Sequence, residues 1–233
     1  MVFSIVVKIF GARCKNFVGA AKMGLAVCVG ALADLVENDP EGAEWIESEL
    51  KAINECLAEN GVDRHDEPRT LPDLESRDQI GGFPYSWTHY LRRIVAHSMA
   101  EPGWKATPVA AGEDPTSDEA VIDATINISG HFICHSDAEG YFVPKDFEEV
   151  IFGDEKMTGG GIIGSSYRVM EEMQLAAKAL GIDLVNGELS DEGAAALNDV
   201  GEDDPFMIEK IVWLSFYEAA RLSIKYNTMI VFQ

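Results

Sequence analysis

His131, Cys134, His135 and Asp137 fall within seven residues of one another, and Tyr141 follows. These side chains can ligate a metal or move a proton. A shared ion is disfavoured by geometry. Residues four apart on a strand share a face but stand roughly 13 Å apart, and only a helical turn brings them to about 6 Å. Gly130, set among β-branched neighbours, argues against a helix, so no metal is expected. A turn at Ser136 would instead fold His135 back. That leaves His131, His135, Asp137 and Tyr141 as a candidate functional surface, with acid–base chemistry of a hydrolase as one reading of it. His89 and His97 are eight residues apart, about 12 Å along a helix, and cannot share an ion directly.

Gly159-Gly160-Gly161-Ile162-Ile163-Gly164 fits the pattern G-x-G-x-x-G. A dinucleotide fingerprint needs a strand immediately before it, and residues 154–158 read as loop. No Lys-Ser/Thr pair follows, so it is not a phosphate-binding P-loop either. No serine sits in a G-x-S-x-G elbow. The acids at 114–119 and 202–204 lack the spacing of a calcium loop. No cofactor is expected.

The elements that would position these residues read as follows. Asp39-Pro40 is a helix start, with Asp as N-cap and Pro in the first turn. Ile46, Leu50, Ile53 and Leu57 then recur at helical spacing up to Asn60-Gly61. Residues 62–82 read as a polar loop. A second helix spans about 85–100, with Trp87, Leu91, Ile94 and Val95 inward. Residues 103–119 read as loop. Residues 124–137 read as a strand, with Ile126, Ile128, Phe132 and Cys134 alternating onto one face, paired as a hairpin with 140–143. A further strand is expected near 149–152. A helix opens at Ser165 or Ser166 and stops at Gly181, a short one begins near Ser190, the last long one starts at Asp204-Pro205, and a strand closes the chain at 229–232. Helices outnumber strands without regular alternation. The expected fold is therefore α+β, a helix-rich single domain with a small antiparallel sheet.

Of the 233 residues 47% are hydrophobic, enough for a proper core, and 40 Asp plus Glu face 18 Lys plus Arg, a net charge of −22. Phosphate backbones and anionic membrane surfaces repel such a chain, so neither nucleic acid nor membrane is an expected partner, and a basic protein is. No run is long and apolar enough to span a bilayer, which takes about 20 residues. Four scattered cysteines without a C-x-x-C pair point to free thiols in a reducing, cytoplasmic setting. The charge is unevenly distributed. Residues 1–22 carry Lys8, Arg13, Lys15 and Lys22 and no acid, while residues 23–233 hold 14 Lys plus Arg against 40 acids, or −26. The expected division is a basic N-terminal extension over 1–22 and one acidic domain over 23–233. The extension reads first as lying upstream of a working start at Met23, with a targeting or interfacial segment and an ordered first strand over Phe3 to Phe10 as the alternatives.

The run His131-Phe132-Ile133-Cys134-His135-Ser136-Asp137-Ala138-Glu139-Gly140-Tyr141-Phe142-Val143-Pro144, with Met23-Gly24-Leu25 and Asn38-Asp39-Pro40-Glu41-Gly42, resembles a set of uncharacterised bacterial proteins that begin at the Met-Gly-Leu. More distantly, the order of features is similar to the YfbM-like family of bacterial proteins of unknown function. The points of likeness are Ser86-Trp87-Thr88-His89-Tyr90-Leu91, Gly140-Tyr141 with Pro144, and Phe216-Tyr217-Glu218-Ala219-Ala220. The resemblance implies a fold and no mechanism. With no catalytic motif and a core charge of −26, the sequence is read first as an acidic binding protein, of the kind that neutralises a basic toxin as an immunity protein does. An enzyme using the His131, His135 and Asp137 region is the alternative.

Overall fold

The computed structural model describes residues 24–153 and 157–232. The expectations for residues 1–22 and for Met23 lie outside the described residues. The elements run β1 (Val27–Val29), α1 (Ala31–Asn38), α2 (Pro40–Glu59), α3 (Trp87–Ala100), a 3-10 turn (Pro115–Ser117), α4 (Glu119–Ile126), α5 (His131–Cys134), β2 (Tyr141–Val143), β3 (Ile151–Phe152), β4 (Ile162–Ser165), α6 (Ser166–Leu180), α7 (Asp191–Asn198), α8 (Met207–Tyr226) and β5 (Ile230–Phe232).

The strands form one sheet in the order β1-β5-β2-β4-β3. Every pairing is antiparallel except β2 with β4, which is parallel. Both faces of the sheet are covered. Phe142, Ile230 and Phe232 face a core with α3, α6 and α8, whereas Tyr141, Val143, Ile163 and Val231 face a second core with α1 and α2. A strand buried on both sides reads as a continuous apolar run, which is why β2 is Tyr-Phe-Val and β5 is Ile-Val-Phe. The fold is the helix-rich α+β domain that the sequence implies, built on a small mixed sheet.

Helices with local caps lie where the sequence puts them. Asp39 accepts from the Gly42 amide at the start of α2, and Ser165 accepts from Arg168 at the start of α6, which stops at Gly181 with φ 71°. Ser190 caps α7 through the Gly193 amide. Asp204-Pro205 forms the turn before α8, with the Asp204 carboxylate accepting from the Phe206 amide.

The expected strand over 124–137 is replaced by helix. Residues 124–126 complete α4, capped at its start by Asp118 on the Ala120 amide, and His131 to Cys134 form the single turn α5. That turn is held from outside its own sequence. Glu172, on α6, accepts from the His131 and Phe132 amides, which are orphan donors at any helix start. Consequently β2 has no hairpin partner before it and pairs with β4 and β5 instead. The glycine run 159–161 precedes β4, not a helix. Its glycines serve close packing: a Cβ on Gly159 would lie 2.2 Å from the Tyr141 hydroxyl, and one on Gly164 2.3 Å from the Phe142 ring.

Candidate functional site

The side chains of the four residues expected to form a surface make no direct contact with one another, and three of the four are buried. Arg92 links the His135 carbonyl to Asp137, and the His135 ring lies 3.4 Å from the Tyr141 carbonyl. His131 is 3% exposed. Its Nδ1 accepts from the Ser165 amide at 2.9 Å, which fixes the proton on Nε2 and directs it to the Glu148 carbonyl at 3.1 Å. Burial holds its pKa below the usual histidine value. His135, equally buried, stacks on Phe142 at 4.2 Å between ring centroids and packs against Phe232. Burial pushes its pKa down to about 4, so the ring is neutral near pH 7.

Asp137 meets Arg92 and lies 3.3 Å from His89. The Tyr141 side chain emerges on the opposite face of the sheet from Phe142 and donates to Glu49 at 2.9 Å. Burial, then the Glu49 charge, pushes that phenol far up, and it stays protonated. Glu49 also accepts from Thr158 and the Gly159 amide, and these bonds outweigh the opposing effect of burial to hold its pKa low. These side chains tie loops to the sheet and do not converge on a common cleft. Among the described residues no three His, Cys, Asp or Glu group to hold a metal ion, and no helix is long and apolar enough to cross a membrane.

Glu172 makes the structural use of buried charge testable. Burial pushes its carboxyl up to about 7 against the opposing pull of the His131, Phe132 and Ile133 amides. A pKa raised above the ordinary value of 4.5 contributes stability below 4.5 that is lost as pH climbs through 7. The urea midpoint is expected to fall across that window, and Glu172→Gln to flatten the fall. An unchanged slope in the variant would remove Glu172 as its source.

The outer surface differs from the interior in how charge is balanced. Six of the seven described arginines pair with carboxylates of the fold itself, and exposed Arg64 does not. Arg77 donates to Glu218 at 2.6 Å and reaches Asp191. Arg221 shares Glu218 at 2.7 Å. Against the pull of burial, these two guanidinium groups hold the Glu218 pKa low. Arg92 is bound to Asp137, Arg93 to Asp118, and Arg168 to Asp146 and Glu171. Bases are exposed at Lys51, Arg64, Arg69, Lys105, Lys178 and Lys225, but exposed acids outnumber them.

Between Lys178 and Lys210 there is no Lys or Arg, but there are nine acids, of which Glu209 alone is buried. Asp191 and Asp204 have cationic partners in Arg77 and Lys210. Glu192, Asp199, Glu202 and Asp203 are exposed, and none is in an ion pair among the described residues. Asp183, Glu192, Asp203 and Asp204 line an open depression of about 670 Å³ between α7 and the start of α8. A second base-free stretch, between Lys105 and Lys145, includes α4 and exposes Glu113, Asp114, Glu119 and Asp123. Motif-based reading missed these residues because a charged surface needs no fixed spacing. The signal that finds them is the long interval between basic residues.

Fold and surface together define an acidic α+β protein with long base-free anionic stretches on its exterior and with most of its described arginines engaged by its own carboxylates. Over residues 23–232 the chain matches the model of the family described as "Putative DNA-mimic protein", and it belongs to that family. No curated protein and no solved structure matches it. It is thus an acidic protein of the DNA-mimic kind.

Proposed function

We propose that this protein occupies the DNA-binding surface of a basic protein, setting carboxylates where phosphates would lie, and thereby neutralises that protein as an immunity protein neutralises its toxin. The observation that carries the reading is the segregation of charge: six of the seven described arginines are paired with the fold's own carboxylates, while the acids of residues 183–203 face solvent in a stretch that has no Lys or Arg. A low-dielectric body with unopposed surface anions attracts a cationic groove and raises its rate of encounter.

The test is capture of proteins from a cell extract on the immobilised chain at about 50 mM salt, followed by elution with duplex DNA. At this ionic strength charges remain coupled over more than about 10 Å. A DNA-binding protein should be retained, displaced by duplex DNA and released by salt. Retention that duplex DNA does not compete, or none at low salt, would sink the proposal.

A further inference from the structure

Helix α4 ends in a conformation that its sequence resists. The amide of Ser129 bonds to the Ala124 carbonyl at 2.9 Å and that of Ile128 to the Thr125 carbonyl at 3.2 Å. This is the Schellman pattern, in which the residue after the cap adopts left-handed backbone and is usually glycine. Here that residue is Ile128, at φ 51°. A β-branched side chain is strained there, because its Cβ crowds the backbone.

Burial does not offset the strain, since Ile128 is 48% exposed. Nor is it isolated. Ile122 and Ile126 are one helical turn apart on α4 and are 43% and 72% exposed, while Val121 and Ala124 form the buried side. Strain retained at a surface position is a mark of function when the surrounding structure enforces it. The same outer side of α4 carries Glu119 and Asp123, and the interval from Lys105 to Lys145 supplies no base.

From this we infer that Ile122, Ile126 and Ile128 form the apolar centre of a docking face whose acidic rim selects a partner with an apolar strip flanked by lysine or arginine. The inference rests on the reading of the protein as a ligand for basic proteins, and it adds a contact that salt does not screen. Charge complementarity excludes a second copy of the chain as the occupant, because two such faces would bring Glu119 and Asp123 of each against like charge. An apolar centre within a polar rim is the usual anatomy of a protein interface.

The test uses two probes: a helical peptide of about 18 residues with leucine on one face and lysine on the other, and poly-lysine of equal charge. At about 0.15 M salt the whole chain should bind the amphipathic peptide at least about tenfold more tightly than poly-lysine. Ile126→Ser should abolish that difference. Ile128→Gly should reduce it while raising the thermal midpoint by about 2–4 °C, because glycine relieves the strain. A more stable protein that binds less well separates a docking role from a packing role.

Equal peptide affinity in wild type and both variants would overturn the inference. A wild-type dimer that Ile126→Ser dissociates would also overturn it, in favour of a second copy. If poly-lysine binds and the leucine face adds nothing, only this inference fails. If neither probe binds at low salt, the proposed function fails with it.

Discussion

Arg92→Met is expected to destabilise the protein by about 2–5 kcal/mol, chiefly because two carbonyls that it serves lose their donor at about 1–3 kcal/mol each, with a smaller part from the half-exposed pair with Asp137. Arg92 is 6% exposed. Its guanidinium donates to the Phe132 carbonyl at 3.2 Å and the His135 carbonyl at 2.6 Å, and it binds the Asp137 carboxylate. The plane also lies over the Phe132 ring, 5.6 Å from its centroid. One side chain on α3 thus closes the C-terminal end of α5, whose carbonyls have no helical partner. Methionine would fill much of the volume and leave those carbonyls and a carboxylate without their donor. Lysine should recover little, because a single ammonium cannot serve a forked set of acceptors. Urea unfolding measures the effect, and a loss below about 1 kcal/mol would show that α5 is held by its apolar side chains alone.

The second large effect concerns rate. Neutralising Glu192, Asp199, Glu202 and Asp203 together, as Gln or Asn, should slow association with poly-lysine about tenfold or more at low salt, with little change in stability. None of the four is buried or engaged with a cation of the described fold, and the fold uses their charge only through Glu192 in the first turn of α7, an effect of about 0.3–1 kcal/mol. Stopped-flow mixing across a salt series reads the result. The curves for wild type and variant should converge as screening shortens the range of the field. If the quadruple variant associates as fast as wild type at low salt, the base-free stretch around α7 is not the steering surface.

Much of the fold was legible in the sequence because its signals are local. Asp39-Pro40, Ser165 with Gly181, and Ser190 each specify a helix boundary through neighbours a few residues away. The segment 124–137 was not legible for the opposite reason. Ile126, Ile128, Phe132 and Cys134 alternate as a strand would, but α5 is set by Glu172 at one end and Arg92 at the other, residues about 40 positions distant. The candidate site was chosen on residue chemistry. His131 and His135 are types that catalyse reactions, yet here their rings are shut in by backbone atoms and phenylalanines. The informative quantity was the charge of −26, which was visible from the start and pointed to a basic partner without locating the surface. Location required knowing which carboxylates the arginines had already claimed.

The placement of β5 fixes when the molecule can work. The last described strand lies between the first, β1, and β2, and all three are hydrogen-bonded in that order. As the chain grows from its N-terminus, β1 therefore waits for a neighbour made about 200 residues later, roughly 10–40 s at ordinary rates of synthesis. Until then neither layer of helices has a finished sheet to rest on. The acids of α2 and α4 are present on the nascent chain well before that, but as a fluctuating polyanion rather than a shaped one. Recognition by shape is available only to the finished polypeptide, and an interrupted translation product would carry the charge without the form.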